Sequence, residues 1–534
     1  MNSVIKYSYT AILICLLFSC AQPGYLTGGE KDTTPPKVAL EDTISNRKKE
    51  FPPNQSIHFS SERIEIHFDE LITLKDEKKQ IVITPTLETA PTFEVKGKKL
   101  FVNFETKPEP NTTYIINFGD AIRDVTEGNM FSNYKYVFST GSYIDSLKYK
   151  AVVLDAFSRA PVADVWIMLY QELADSIPLK EKPYYFGKTS SSGSCIIENI
   201  ATGKYKSFVL QDQNGNYRYD QAVEKIGFST SLLNLKDSIA VDTFSLFTNF
   251  SAKSKLGDLK IQKNGKLTIP LSQPATESLQ LSNELLSNFW NDTLLLNESK
   301  DTIFGWVKPN KKEVKGVKFV ATNFQSSTFN CTPPTDTLLK FTTNGTKAIK
   351  PSERFYLEFS QPLEKVDSEK LELLINDKST SLDYSMASSK FIIENNLHPD
   401  SSYILNALPG AFQSIYGNSN DSLSVFLNIG ELNDFGNIML NINQVDSVQL
   451  IIELLDKGKI VERKKLGKVN STKVTFKNLE PKSYNIRIIF DDNNNGVWDT
   501  GNYFMEVQPE KITYYSDPIT VRKGWDLDLT WTIK

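Results

Sequence analysis

Two nine-residue stretches constrain this chain more than anything else in it. Asp491-Asp-Asn-Asn-Asn-Gly-Val-Trp-Asp499 has a counterpart in Asp212-Gln-Asn-Gly-Asn-Tyr-Arg-Tyr-Asp220. In both, an acid or amide stands at places one, three, five and nine. A Tyr (Tyr205, Tyr484) lies seven residues before the first Asp, and an Asn (Asn199, Asn478) six residues before that Tyr. Every matched residue of the second copy stands 279 places after its partner, as 491 stands after 212. A fixed period marks a duplicated structural unit, so the fold must contain one module twice.

The 534 residues exceed what one core organises and predict about three to five domains. Apolar residues at 40% suffice for packed cores, and 24 Pro with 26 Gly scattered along the chain fit many turns rather than disorder. A net charge of −4 gives no reason to expect nucleic acid or an anionic membrane surface as partner.

Residues 1–19 read as an export signal. Lys6 precedes the apolar run Ala11-Ile-Leu-Ile-Cys-Leu-Leu-Phe18, which stops at Ser19-Cys20. No other run approaches the roughly 18 apolar residues of a membrane helix. Leu17-Phe18-Ser19-Cys20 resembles the bacterial lipobox, although Phe18 departs from its pattern. The resemblance implies that Cys20 is acylated and becomes the new N-terminus, with residues 20–34 as a polar, Gly-containing tether. Two or three acyl chains would hold the protein stably to a bilayer, where one would not. Cys15 leaves with the signal, so Cys195 and Cys331 remain, in different modules, and are expected as separate buried thiols rather than as a bridge.

Beyond the tether the pattern is one of short strands. Ile64, Ile66 and Phe68 alternate with Glu65, His67 and Asp69, the period-two signature of a half-buried strand, which makes His67 an exposed strand residue rather than a ligand. Ile81–Pro85, Leu100–Phe104, Thr113–Phe118 and Tyr136–Thr140 continue the series between turn residues, as in a β-sandwich. On Pro35-Pro36, Phe68-Asp-Glu70, Pro110-Asn-Thr-Thr-Tyr114, Asp120-Ala-Ile-Arg-Asp124, Gly128-Asn129 and Phe138-Ser-Thr-Gly141, residues 35–142 resemble the bacterial Ig-like domains first noted in surface-layer proteins. Such domains are common in Bacteroidetes lipoproteins, and the resemblance implies a sandwich with a surface role and no catalytic residues.

Residues 143–243 carry Tyr149-Lys-Ala-Val-Val-Leu154, Pro161-Val-Ala-Asp-Val-Trp-Ile-Met-Leu-Tyr170 and Gly203-Lys-Tyr205, leading into the first Asp/Asn stretch. They look like the transthyretin-like sandwich that serves as a regulatory domain in carboxypeptidases and occurs in bacterial surface proteins; residues 431–534 repeat it. Residues 244–338 are strand-like without a recognised likeness. Residues 339–430 echo the Ig-like pattern in degenerate form: Glu353-Arg-Phe-Tyr-Leu-Glu-Phe359 follows Glu62-Arg-Ile-Glu-Ile-His-Phe68, and Pro399-Asp-Ser-Ser-Tyr403 follows Pro110-Asn-Thr-Thr-Tyr114. The expected fold is all-β: tandem β-sandwich modules, Ig-like and transthyretin-like, internally repeated and linked head to tail.

No catalytic constellation stands out. His58, His67 and His398 show no metal-ligand spacing, nothing sets them beside Cys195, Cys331 or a Ser elbow, and the 64 Asp and Glu are dispersed. The chain is therefore read as no enzyme; a glycosidase, whose acid pair need not be close in sequence, is the hardest class to exclude. Trp166, Trp290, Trp306, Trp498, Trp525 and Trp531 could offer sugar-stacking faces but are expected mostly in cores. Trp525 and Trp531, six residues apart, are expected on one packed strand face.

Asp491, Asn493, Asn495 and Asp499, and less favourably Asp212, Asn214, Asn216 and Asp220, put oxygens where an EF-hand loop holds calcium. Place twelve, where that loop needs a bidentate Glu, has Asn502 and Val223, with Glu506 and Glu224 late; place six has Gly496 in one copy and Tyr217 in the other. Calcium would bind weakly, on the order of 10⁻⁴ to 10⁻³ M. The competing reading, which the sequence favours, is a metal-free turn, since Asn and Asp cap their own backbone and tolerate left-handed geometry. No other cofactor is implied beyond the lipid on Cys20. The features together point to a non-catalytic outer-membrane lipoprotein, displayed at the cell surface rather than on the periplasmic face. It would be a binding or scaffold component of an envelope assembly, one form of that role being accessory to an outer-membrane barrel machine. The alternative is carbohydrate capture in nutrient uptake. The partners in view are thus the outer membrane, an envelope protein or a glycan, and not nucleic acid.

Overall fold

The computed structural model describes residues 31–39, 50–220, 223–236, 239–249, 255–272, 275, 289–297, 300–309, 314–319, 327–331, 334–350, 353–443, 448–467 and 471–533. The signal, Cys20 and most of the tether lie outside these residues. Within them the chain is a series of β-sandwich modules made of short, mostly antiparallel strands.

The first sandwich follows directly from its alternation. Arg63–His67 pairs with Glu50–Phe51 on one side and Lys99–Asn103 on the other, with Thr92–Lys96 beyond. Val82–Thr84, Thr113–Asn117 and Lys135–Ser139 make the facing sheet, and Ile72–Leu74 pairs with Ile122–Asp124. Ile64, Ile66 and Phe68 are buried as their spacing requires, whereas His67 Nε2 lies outward against Glu65 Oε1 at 2.6 Å. The core is ring-rich: Phe138 meets Phe59 at 4.1 Å and stacks on Tyr114 at 5.3 Å between centroids. Each fully buried ring or branched side chain contributes roughly 1.5–3 kcal/mol.

Residues 341–427 repeat this plan. Phe341–Thr343, Tyr356–Phe359, Lys390–Ile393 and Tyr384–Ala387 form one sheet; Leu371–Ile375, Tyr403–Ala407 and Leu423–Leu427, with an added strand Lys378–Thr380, form the other. Leu363–Val366 and Phe412–Ser414 supply the side pair. The recurring Pro-x-x-x-Tyr motif proves to be a corner. Glu109 N donates to Tyr114 Oη at 3.0 Å and His398 N to Tyr403 Oη at 2.7 Å, so each ring fills the core while its hydroxyl takes an amide of the turn.

The two copies of the longer repeat share one strand order. In the first, Ser194–Ile200, Leu147–Asp155 and Ile239–Thr248 lie side by side, facing Tyr185–Lys188, Trp166–Tyr170, Gly203–Gln211 and Lys225–Phe228. In the second the corresponding strands are Ser471–Leu479, Gly436–Asn443 and Asp526–Thr532, facing Lys459–Leu466, Gln449–Asp456, Ser483–Asp491 and Ile512–Tyr514. First and last strands of each copy run parallel, Lys148 opposite Ile239 and Asn437 opposite Asp526. This pairing moves one boundary: the expected end of the first copy at residue 243 cuts the strand Ile239–Thr248, which continues because Phe244 and Leu246 alternate into the same core. The middle module starts later, with Lys260–Ile261, Lys266–Pro270, Thr302–Val307 and Phe289–Leu296 around Leu267, Ile269 and Ile303. Tyr416 Oη, donating to Val307 O at 2.6 Å, seats the next sandwich against it.

Candidate functional site

Each Asp/Asn stretch is delivered by one long strand, Gly203–Gln211 or Ser483–Asp491. Tyr205 and Tyr484 are buried in these strands, and their hydroxyls donate to Ala201 O at 2.8 Å and Glu480 O at 3.0 Å. Asn199 and Asn478 turn the chain ahead of them with φ of 53° and 54°, left-handed geometry that Asn tolerates.

Within the loops the acids are taken up by backbone amides. Asp212 Oδ1 accepts from Asn214 N and Gly215 N at 3.1 and 2.7 Å, and Oδ2 from Tyr217 N at 2.8 Å. Asp491, fully buried, accepts from Asn495 N at 3.0 Å, Gly496 N at 2.8 Å and Gln449 Nε2 at 2.7 Å. Asn493 and Asn495 aim their amide nitrogens at Asp499 Oδ2, both at 2.6 Å, and Asn214 and Asn216 do the same to Asp220 at 3.1 and 2.6 Å. The four residues of each set are thus brought together, with donors rather than oxygens turned toward the ninth place. Among the described residues no group of three or more His, Cys, Asp or Glu is placed to hold a metal ion.

A carboxylate beyond place twelve completes each loop, and in the second copy it is not the late Glu506 noted in the sequence. Glu224 accepts from Gln213 N and Asp220 N, both at 3.1 Å, and Glu510, not Glu506, does the same for Asp492 N at 2.9 Å and Asp499 N at 3.0 Å. Burial, with the charge of Asp499 adding to it, pushes the Glu510 carboxyl up to about 7. The ladders agree: Gln211 faces Lys225, and Phe490 N donates to Lys511 O at 3.0 Å. Glu224-Lys-Ile226 therefore corresponds to Glu510-Lys-Ile512, 286 places on rather than 279, and the second copy carries seven extra residues after Asp499. The repeated Glu-Lys-Ile triplet was the available signal.

That insertion is where the two copies meet. Tyr503 N donates to Asn249 Oδ1 at 2.6 Å and Tyr503 Oη donates to Asp175 O, while its ring lies among Phe208, Tyr219 and Phe228 at 5.5–6.2 Å. Thr500 Oγ1 donates to Thr248 O at 3.0 Å and Gln508 Nε2 to Phe228 O at 2.8 Å. Gly501 packs so closely on Phe247 that a Cβ would stand 2.6 Å from the ring. Alongside, Trp498 meets Phe157 edge-on at 4.9 Å, and the Arg487 guanidinium, itself held by buried Glu453, lies 4.5 Å over the same ring. The head-to-tail row expected from sequence is therefore corrected: the last module folds back onto the second.

The tryptophans divide. Trp166 is buried, Trp498 lies in this interface and Trp531 packs edge-on against Tyr515 at 5.4 Å. Trp525 is 50% exposed beneath the Arg522 guanidinium, because the strand starts only at Asp526 and leaves it outside the packed face. The Trp290 and Cys331 side chains lie outside the described residues. Cys195 is a free, half-buried thiol whose pKa burial pushes up to about 12. Tyr217, at place six of the first loop with φ 61°, helps line a cleft of about 680 Å³ against the first sandwich, with Leu87, Phe93, Pro183 and Phe186.

The bacterial Ig-like domain family matches residues 32–140. Among curated proteins none matches the chain. Solved structures with some likeness include the Bacillus anthracis TIE protein, 11% identical, covering 91% of this chain and 74% of that one at a TM-score of 0.15. Others are the Bacteroides ovatus mixed-linkage glucan utilization locus protein SGBP-B (10%; 71% and 96%; 0.18) and the Bacillus cereus major pilin subunit (9%; 73% and 98%; 0.13). Scores this low carry nothing further about this chain.

Proposed function

We propose that the chain is a non-catalytic scaffold of the bacterial cell envelope, an outer-membrane lipoprotein that meets a protein partner through its sandwich edges and loops. The observation that supports this most is where the recurring polar motifs go. Tyr114, Tyr403, Tyr205, Tyr484, Asp212 and Asp491 all bond to neighbouring backbone, as residues that shape turns in spacer modules do. Attachment in this reading is through the lipobox-like Cys20, on the strength of Leu17-Phe18-Ser19-Cys20; among the described residues no helix is long and apolar enough to cross a membrane. Purification of the tagged full chain from mild-detergent membranes tests the reading: a stably associated barrel or other envelope protein is expected. Carbohydrate capture is the second reading, favoured by the aromatic-lined cleft at Tyr217. Saturable glycan binding lost in Tyr217→Ala, with no co-purifying protein, would replace the first reading with the second.

Two further outcomes follow. Cys20→Ala is expected to move the chain into the soluble fraction with unchanged melting, because the tether separates anchor from sandwiches; retention on outer membranes after a high-salt wash would show another anchor. The Asp/Asn loops act as metal-free turns in this reading, so millimolar calcium is expected to give neither heat nor a rise in melting temperature. Heat that disappears in Asp491→Ala would instead make Asp491, Asn493, Asn495 and Asp499 a weak calcium site.

A further inference from the structure

The two copies of the longer repeat differ in how the edges of their three-stranded sheet are covered. In the first copy, Ile239–Thr248 pairs on its far side with Lys225–Phe228, Ile226 facing Phe247. Its opposite edge strand, Ser194–Ile200, lies against the first sandwich, with Glu198 Oε2 2.6 Å from Lys135 Nζ. In the second copy the corresponding strands, Asp526–Thr532 and Ser471–Leu479, each pair only with Gly436–Asn443 among the described residues. The consequence shows in the core. Ile438, Leu440 and Ile442 on the middle strand are fully buried, whereas Leu527, Leu529 and Trp531 on the edge strand pack on the same core but are only partly buried. An uncovered edge of seven residues is a ready template for another strand.

The outward side chains of these two edges have opposite charge. Asp526 and Asp528 are exposed on one, with no base on that strand; Lys473 and Lys477 are exposed on the other, with no acid. The strand directions are compatible as well. Gly436–Asn443 runs antiparallel to Ser471–Leu479 and parallel to Asp526–Thr532, so a second copy set beside the first in the same orientation brings its Ser471–Leu479 antiparallel to Asp526–Thr532. The rows also match. Met439 faces both Thr475 and Asp528, and Asn441 faces both Lys473 and Thr530. Continuing those rows into a neighbour places Asp528 beside Thr475 of the second copy and diagonal to its Lys473, a spacing long side chains span, with Lys477 following at the irregularity opposite Asn437. Two-fold pairing of the acidic edge with itself would instead put Asp528 diagonal to Asp528.

We infer that copies of this chain associate side by side through the last module, the Asp526–Thr532 edge of one adding to the Ser471–Leu479 edge of the next, to build a row. Because the two patches differ, the contact is head-to-tail and leaves a free edge of each kind at the ends of any open row. The proposal deepens the scaffold reading and rests on it, since it names the chain itself as a partner met through sheet edges.

Sedimentation velocity of the purified full chain in mild detergent tests it. Species larger than a dimer, growing with concentration, are expected. Asp526→Lys/Asp528→Lys and Lys473→Glu/Lys477→Glu each convert attraction to repulsion and are expected to weaken association by on the order of tenfold or more. Asp526 and Asp528 accept from Asn437 Nδ2 and Asn441 Nδ2, so their Lys variant should melt slightly lower, whereas the Lys473→Glu/Lys477→Glu variant, changed at exposed side chains, should melt as the parent does and gives the cleaner test. Mixing the two variants makes every contact complementary again and is expected to restore the row. A chain that stays monomeric, one that stops at a dimer, or variants that associate as well as the parent would each overturn the proposal. A co-purifying envelope protein whose binding the same substitutions abolish, with no self-association, would overturn the row and leave the scaffold reading standing.

Discussion

Tyr484→Ala is expected to destabilise the last module by about 3–5 kcal/mol, the cost of truncating a large buried aromatic. Its ring sits in the core with Ile486, Ile488 and Phe476, and its hydroxyl closes the turn by donating to Glu480 O at 3.0 Å. Tyr484→Phe removes only that bond and should cost roughly 1 kcal/mol. Tyr205→Ala should act alike in the first copy, where Tyr185 packs edge-on at 5.8 Å. Because a chain of many modules does not unfold in one step, the readout is hydrogen exchange of each strand that enters a loop, Ser483–Asp491 or Gly203–Gln211. Faster exchange confined to the mutated module is the expected result. Unchanged exchange and melting, with loss of a partner, would mean that these tyrosines contact something else.

The second large effect is Tyr503→Ala. Tyr503 is 5% exposed, and most of what buries it belongs to the other copy of the repeat. Truncation removes the ring from among Phe208, Tyr219 and Phe228 and frees Asp175 O, a loss of about 3–5 kcal/mol on the scale of a buried anchor. Tyr503 belongs to a core cluster of the first copy and not to the main core of its own module, so the last module should stay folded while the first loosens at that end and the two separate. Small-angle scattering should then show a larger radius of gyration, and amides of Lys225–Phe228 should exchange faster. Gly501→Val should do the same, since its first side-chain carbon would collide with Phe247. A scattering profile identical to the parent's would show that the contact is held by Trp498, Phe157 and Arg487 instead.

Strands and turns were readable in this sequence because they obey local rules. Ile64, Ile66 and Phe68 betray a half-buried strand by parity alone, and the Pro-x-x-x-Tyr and Asn-x₅-Tyr spacings recur because a corner must return the chain at the same place each time. What was not readable depends on contacts between distant residues. Nothing local says that Tyr503 leaves its own module, since an aromatic among Asn, Gly and Met reads as an ordinary loop. The boundary near residue 243 failed for the same reason: Phe244 and Leu246 continue a strand whose parallel neighbour, Leu147–Asp155, lies about 90 residues earlier. Glu510 is hidden in the sequence because seven extra residues separate it from Asp499, so the 279-residue offset that relates the loops no longer relates their carboxylates. The even spacing of Trp525 and Trp531 implies a shared face only in a continuous strand, and the turn before Asp526 interrupts it.

The refolded path of the chain matters when the protein is pulled. A stretching force applied between the first sandwich and the last strand enters the first repeat at Leu147–Asp155. It can cross directly to the second repeat through Tyr503, Thr500 and Gln508. The middle module and the sandwich of residues 341–427 lie on a parallel branch and hang slack until that contact gives way. Tension is thus borne first by a small patch of rings and hydrogen bonds. Only after that contact parts does the intervening chain pay out, so the contact between the copies is placed to yield before the modules strung between them.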